Sequence, residues 1–157
     1  MTQKINKLYL GKHRDSMLQY ISDGHKDAYG YRPDMSRYTG MSDAELEVVV
    51  KEIEAAVVES IKEDERRWAI ALAEWERQIA LTIDGGAPDR DTAIRWLLSA
   101  EQFDGSDLAY GASYVSWHFG MFTGMSEPHN VEIQRVINTH FKDKVNAYMD
   151  EVHYSDA

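Results

Sequence analysis

From Met41 to Asp84 the chain contains neither glycine nor proline, the longest such run in the sequence. Ser42 and Glu45 open it as a capping box, each side chain satisfying a backbone N–H that a first helical turn leaves without a partner. Asp84-Gly85-Gly86-Ala87-Pro88 closes it. The pattern predicts one α-helix over about residues 42 to 84, roughly 60 Å long at 1.5 Å rise per residue. A chain of 157 residues folds into a body about 25 to 30 Å across, so a helix of that length overshoots it. The uncovered part of its seam then calls for a second copy of the chain or a different partner.

That seam consists of Leu46, Val50, Ile53, Val57, Ile61, Trp68, Leu72, Trp75, Ile79 and Ile83, with steps of four and three dominating. It is interrupted by Lys62-Glu63-Asp64-Glu65-Arg66-Arg67, after two successive steps of four. Either the helix bends there or it exchanges one packing partner for another.

The remaining sequence predicts four shorter helices and no strand, because no segment alternates with period two. One covers about Lys12 to Asp23 and ends at Gly24. Gly24 to Gly40, rich in Gly, Tyr and charge, reads as an ordered loop. The next helix runs from Asp89 or Asp91 to about Gln102, and another from Leu108 to about Phe119 after the Asp104-Gly105-Ser106-Asp107 turn. A last helix begins near Ser126 and Pro128 and continues to about Val152. The expected fold is all-α: a single helical domain over residues 1–157 built around one very long amphipathic helix. Its parts are a basic Tyr-rich segment 1–41, the long acidic helix 42–84 and a three-helix part 89–152.

The absence of cysteine excludes disulfides, thiolate ligands and cysteine nucleophiles. The formal charge of −10 is unevenly distributed. Residues 1–40 carry seven Lys or Arg against four Asp, residues 41–84 five basic against twelve acidic groups, and residues 85–157 five against eleven. Acidity on this scale disfavours nucleic acid as a partner. The apolar stretch Leu8-Tyr9-Leu10 is too short for a signal peptide, and no run reaches the roughly 18 to 20 uncharged residues of a membrane helix. The expectation is a soluble, cytoplasmic protein.

Four groupings of residues invite a chemical reading. Arg14, His25, Lys26, Arg32 and Arg37 alternate with Tyr20, Tyr29, Tyr31 and Tyr38 over residues 14–38. Cations for phosphate and aromatic faces for bases are what a nucleic-acid or nucleotide site uses; the plainer reading is that these side chains tie the loop to the acidic helix. His25 and Asp27 form an acid and base pair without a nucleophile beside them. His140 and Asp143, three apart on the last helix, share a face that suits a divalent ion and a metal-dependent enzyme. Their third ligand would come from His129, His25 or Asp27. Finally, carboxylates including Glu52, Glu59, Glu63 and Asp64 line the long helix. Spaced along a rod they imitate duplex phosphates, or they are a solvated face carrying pairs such as Glu59 with Lys62 and Glu63 with Arg67.

Residues 96 to 125 are the most aromatic third, and core packing is expected to absorb most of them. No Lys or Arg lies between Asp107 and Trp117, which argues against a DNA-reading helix there. No phosphate loop, nucleophile elbow or His-Glu-x-x-His pair occurs, so no catalytic residue, metal or cofactor is assigned.

The strings His25-Lys26-Asp27-Ala28-Tyr29-Gly30-Tyr31-Arg32-Pro33, Met41-Ser42-Asp43-Ala44-Glu45-Leu46 and Ala93-Ile94-Arg95-Trp96-Leu97-Leu98-Ser99-Ala100-Glu101 carry a resemblance. Together with the aromatic stretch Tyr114 to Gly120 they resemble small uncharacterised proteins of tailed bacteriophages and prophages. Those share a KDAYGxRP loop, a long charged helix and an RWLLxAE helix. The resemblance implies action inside an infected bacterium and transfers no site residue. The leading expectation is a non-enzymatic phage accessory protein, homodimeric or larger through its long helix. It would bind a host or phage protein by its acidic surface, as a DNA mimic or an inhibitor of host defence.

Overall fold

The computed structural model describes residues 14–155. The expected helix start at Lys12, and His13 beside it, lie outside the described residues. Those described form eight α-helices and no strand. In chain order they are α1 (Arg14–Tyr29), α2 (Ser36–Thr39), α3 (Asp43–Asp84), α4 (Arg90–Ala100), α5 (Gly105–Ala109), α6 (Ala112–His118), α7 (Pro128–His140) and α8 (Lys142–Ser155). The chain divides into two compact units, residues 1–65 and 66–157, with the boundary inside α3. Among the described residues no helix is long and apolar enough to cross a membrane.

α3 holds 42 residues, as its sequence predicts. At its start Glu45 Oε2 accepts from the Ser42 N–H at 2.7 Å, and Ser42 Oγ accepts in return from the Glu45 N–H at 3.4 Å. At its end the Gly85 and Ala87 N–H groups donate to the Leu81 and Thr82 carbonyls while Gly86 takes φ +115°, a conformation that suits glycine.

In the first unit α1 packs Met17 and Ile21 on Leu46, Val50 and Ile53 of α3, with Val57 partly buried beside them. Gly24 does not end α1, contrary to the sequence expectation. It is buried within the helix, and a Cβ there would lie 2.7 Å from Ile53 Cγ2, so its role is close approach. The stop comes six residues later. Gly30, at φ +82°, donates its N–H to the Lys26 carbonyl. The expected loop 24–40 thus supplies the end of α1 and the single turn α2.

In the second unit Trp75 and Ile79 of α3 join Ile94, Leu98, Phe103, Leu108, Val115, Met121, Ile133, Val136 and Ile137 in one buried cluster. The predicted helix from Leu108 to Phe119 is divided at Gly111, whose φ is +76° and whose added Cβ would meet Gln134 Oε1 at 2.7 Å. The same Gln134 oxygen accepts from the Ala112 N–H at the start of α6. The predicted last helix is divided too, at Phe141 (φ −121°, ψ 8°), with no glycine or proline there to announce the break. The cause is tertiary. α8 lies so close to α5 that a Cβ on Gly105 would stand 2.6 Å from the Lys144 carbonyl oxygen, and Lys144 Nζ donates to the Phe103 carbonyl. The described residues therefore form eight helices where five were expected.

The charged interruption of the α3 seam corresponds to a change of packing partner, since residues 46–57 and 71–79 belong to different clusters. Ile61 and Ile83, both counted in the seam, are exposed.

Candidate functional site

The basic N-terminal segment is largely committed to its own fold. Arg14 donates to Asp43 Oδ1 at 2.9 Å and to the Thr39 carbonyl at 2.8 Å. Arg32 donates to Ser22 Oγ at 2.8 Å and to Asp23 Oδ1 at 2.5 Å. His25 donates from Nδ1 to the Tyr31 carbonyl at 2.9 Å, which fixes that nitrogen as the protonated one. Its ring lies 4.6 Å from the Tyr29 ring and 4.8 Å from that of Tyr31. His25, Tyr29, Tyr31 and Arg37 line one small hollow of about 260 Å³, together with Tyr38, Val49, Ile53 and Glu52 of α3. Arg14, Lys26 and Arg32 do not line it. Arg37 also faces Asp34, whose carboxyl is held below its usual range mainly by the Ser36 N–H.

The acidic face of α3 carries its own partners. Lys62 reaches Glu59 at 3.4 Å, and Glu63 and Asp64 are engaged as well. Arg77 donates to both oxygens of Glu74, at 2.8 and 2.6 Å, and Gln78 adds a third bond at 2.7 Å. These bonds, Arg77 first, lower the Glu74 carboxyl to about 2 from an ordinary 4.5. Arg90 joins three helices, donating to both oxygens of Glu76 on α3 and both of Glu132 on α7 at 2.6 to 3.1 Å.

The His140 and Asp143 pair does not share a helical face. His140 ends α7, Asp143 lies in the first turn of α8, and Phe141 breaks the chain between them. Among the described residues no three His, Asp or Glu side chains gather where a metal ion fits.

The aromatic region departs furthest from its expected role. Phe103 and Met121 are buried, but Tyr110 is 72% exposed, Trp117 66% and Met125 84%, with Trp96 and Phe122 exposed as well. Tyr110 at the end of α5 and Tyr114 and Trp117 on α6 form a strip, their rings 5.8 and 5.7 Å apart and inclined by 37° and 35°. The Asp107 carboxylate near Tyr114 raises the hydroxyl's pKa, so that its proton is held more tightly than usual. At one end of the strip Tyr110 borders a groove of about 450 Å³ with Met125, Val131, Gln134 and Asn138. At the other, Trp117 borders a groove of about 570 Å³ with Trp68, Ile70 and Ala71 of α3.

The loop carrying Phe122 and Met125 is pinned from beneath. Buried Asn130 donates from Nδ2 to the Gly124 carbonyl at 2.7 Å and to the Phe122 carbonyl at 3.3 Å, while its Oδ1 accepts from the Ser116 hydroxyl. His129, also buried, donates from Nε2 to the Phe122 carbonyl at 2.8 Å. Phe122 in turn lies 4.6 Å from Trp68, ring to ring.

The spacing of four and three from Tyr110 to Trp117 was present in the sequence. It lies opposite the apolar stripe Leu108, Ala112 and Val115, and that opposition is the signal that reveals a second face. Comparison with protein-family models, with curated proteins and with solved structures finds no match to this chain.

Proposed function

We propose that the chain is a non-enzymatic helical module that binds another protein through the aromatic surface of its second unit. The observation that carries this reading is the exposure of Tyr110, Trp117, Phe122, Met125 and Ile70 on anchored elements. Tyr and Trp dominate binding energy at protein interfaces, and clustered exposed apolar side chains mark such sites. The surface is also held in place before a partner arrives, by the Asn130 and His129 bonds to the loop, which lowers the ordering cost of association.

The aromatic strip is favoured over the acidic helix as the binding surface. Glu59 and Glu74 are neutralised by neighbours on their own helix, which weakens the case for phosphate mimicry. A nucleotide site in the N-terminal segment retains only His25, Tyr29, Tyr31 and Arg37. The phage resemblance supplies a setting, an infected bacterial cell, in which the partner is a host or phage protein. Self-association through α3 is a second reading, favoured by the exposed Val58 and Ile61, three apart on that helix.

The test is affinity capture from bacterial lysate by the full chain and by a Tyr110→Ala, Trp117→Ala variant, with mass-spectrometric identification. The reading expects one protein retained by the parent and lost by the variant. Equal retention by both would refute it.

A further inference from the structure

We infer that the Tyr110, Tyr114 and Trp117 strip receives a segment of the partner rich in lysine and arginine, a proposal that rests on the protein-binding reading above. The strip presents aromatic faces, and the face of an aromatic ring carries negative potential that attracts ammonium and guanidinium groups. Carboxylates border it. Asp107 and Asp104 lie close enough to Tyr114 for their negative charge to hold its hydroxyl proton, and Glu101 lies 3.2 Å from His118, the residue after Trp117. Between Glu101 and His118 the sequence contains no Lys or Arg.

The cations at its margins are committed elsewhere. Lys144, which faces Asp104 from α8, donates to the Phe103 carbonyl. Arg135, in the groove beside Tyr110, bonds Asp91 at 2.5 Å. Arg67, in the groove beside Trp117, has interactions of its own, and Glu74 in that groove is already paired with Arg77. Rings flanked by carboxylates, with nearby cations engaged, complement a cationic chain. Phosphate-bearing ligands meet repulsion at the same border. A second copy brings a net charge of −10 and fits less well than a basic partner.

The experiment uses the full chain and three fluorescein-labelled synthetic peptides: one with arginines interspersed among leucine and proline, one with each arginine replaced by glutamine, and one by glutamate. Binding is read by fluorescence polarisation at low and high salt. The arginine peptide is expected to bind and the other two to fail. Tyr110→Leu, which keeps apolar area but removes the ring, is expected to weaken binding roughly threefold to tenfold. Glu101→Gln is expected to weaken binding and reduce its salt dependence, while Glu59→Gln on α3 leaves it unchanged. Circular dichroism melts matching the parent establish that the variants are folded.

Equal binding of the glutamine peptide would overturn the proposal, as would equal losses in Glu59→Gln and Glu101→Gln with Tyr110→Leu unchanged, which would mean that affinity follows net charge alone. Absence of arginine-peptide binding would overturn it too. The two readings separate cleanly. A captured protein that is lost on Trp117→Ala yet indifferent to salt and to Glu101→Gln leaves protein binding standing and removes the cationic partner. Failure of both the capture and the peptide removes both.

Discussion

A Cβ placed on Gly24 would stand 2.7 Å from Ile53 Cγ2, so α1 crosses α3 at a distance that only glycine permits. Gly24→Ala gains helix propensity but overpacks the first unit's core, with a net loss of about 1 to 2 kcal/mol. Gly40, where an added Cβ meets nothing within 4 Å, is the control, and Gly40→Ala should be neutral or slightly stabilising. Denaturant melts of both variants decide the matter, and an Ile53→Val change in the Gly24→Ala background should recover part of the loss.

Asn130 is the pin of the 120–127 loop. Asn130→Ala strands the Ser116 hydroxyl and the Gly124 carbonyl, at a cost of about 2 to 4 kcal/mol if both remain buried. Hydrogen exchange over residues 120–127 should accelerate, and partner capture through Phe122 and Met125 should weaken in the same variant. Unchanged exchange there would mean that the loop is held by Met121 and Gly120 instead.

Acid should weaken the fold through carboxylates that are hydrogen-bonded in it. The folded-state value of Glu74 is depressed, so its contribution is fully present above the unfolded value of 4.5 and disappears as the pH falls toward about 2. Glu76, lowered chiefly by its hydrogen bonds from Arg90, has the same sign. Stability should therefore decline across that window, and Glu74→Gln should flatten the decline. Carboxyl NMR titration of Glu74 is the direct check, with a midpoint near 2 expected and one near 4.5 excluding the Arg77 bonds in solution.

Trp75 is 2% exposed in the second cluster, yet its indole N–H has no hydrogen-bond partner among the described residues. Trp75→Phe removes an unsatisfied donor along with ring volume, so its cost should stay well below the roughly 3 to 5 kcal/mol expected of Trp75→Ala. Thermal unfolding of the pair gives the comparison. Equal losses would show that the N–H is satisfied in solution, by water for example.

What the sequence made legible was set locally. The start of α3 needs only Ser42 and Glu45, its end only Gly85 and Gly86, and α4 begins at Asp89 because that side chain caps the Thr92 N–H. What it hid was set by neighbours distant in the chain. Gly24 looks like a terminator until Ile53 is placed against it, and Gly111 looks helical until Gln134 claims the Ala112 N–H. Phe141 breaks a helix only because α8 must reach Gly105. The aromatic strip shows the same division. Its spacing was readable, but which side of α6 would face the core was decided by Ala112 and Val115 joining Ile133, Val136 and Ile137 of α7 in one cluster.

The two buried clusters draw on separate stretches of α3, so among the described residues no buried cluster includes residues 58–67 of that helix. Local opening there breaks few apolar contacts, and the free energy that resists it is correspondingly low. Amide protons in this stretch should exchange ahead of those near Val50 or Trp75. A protease cutting after Lys62, Arg66 or Arg67 would find its first foothold there, leaving each cluster intact on its own fragment.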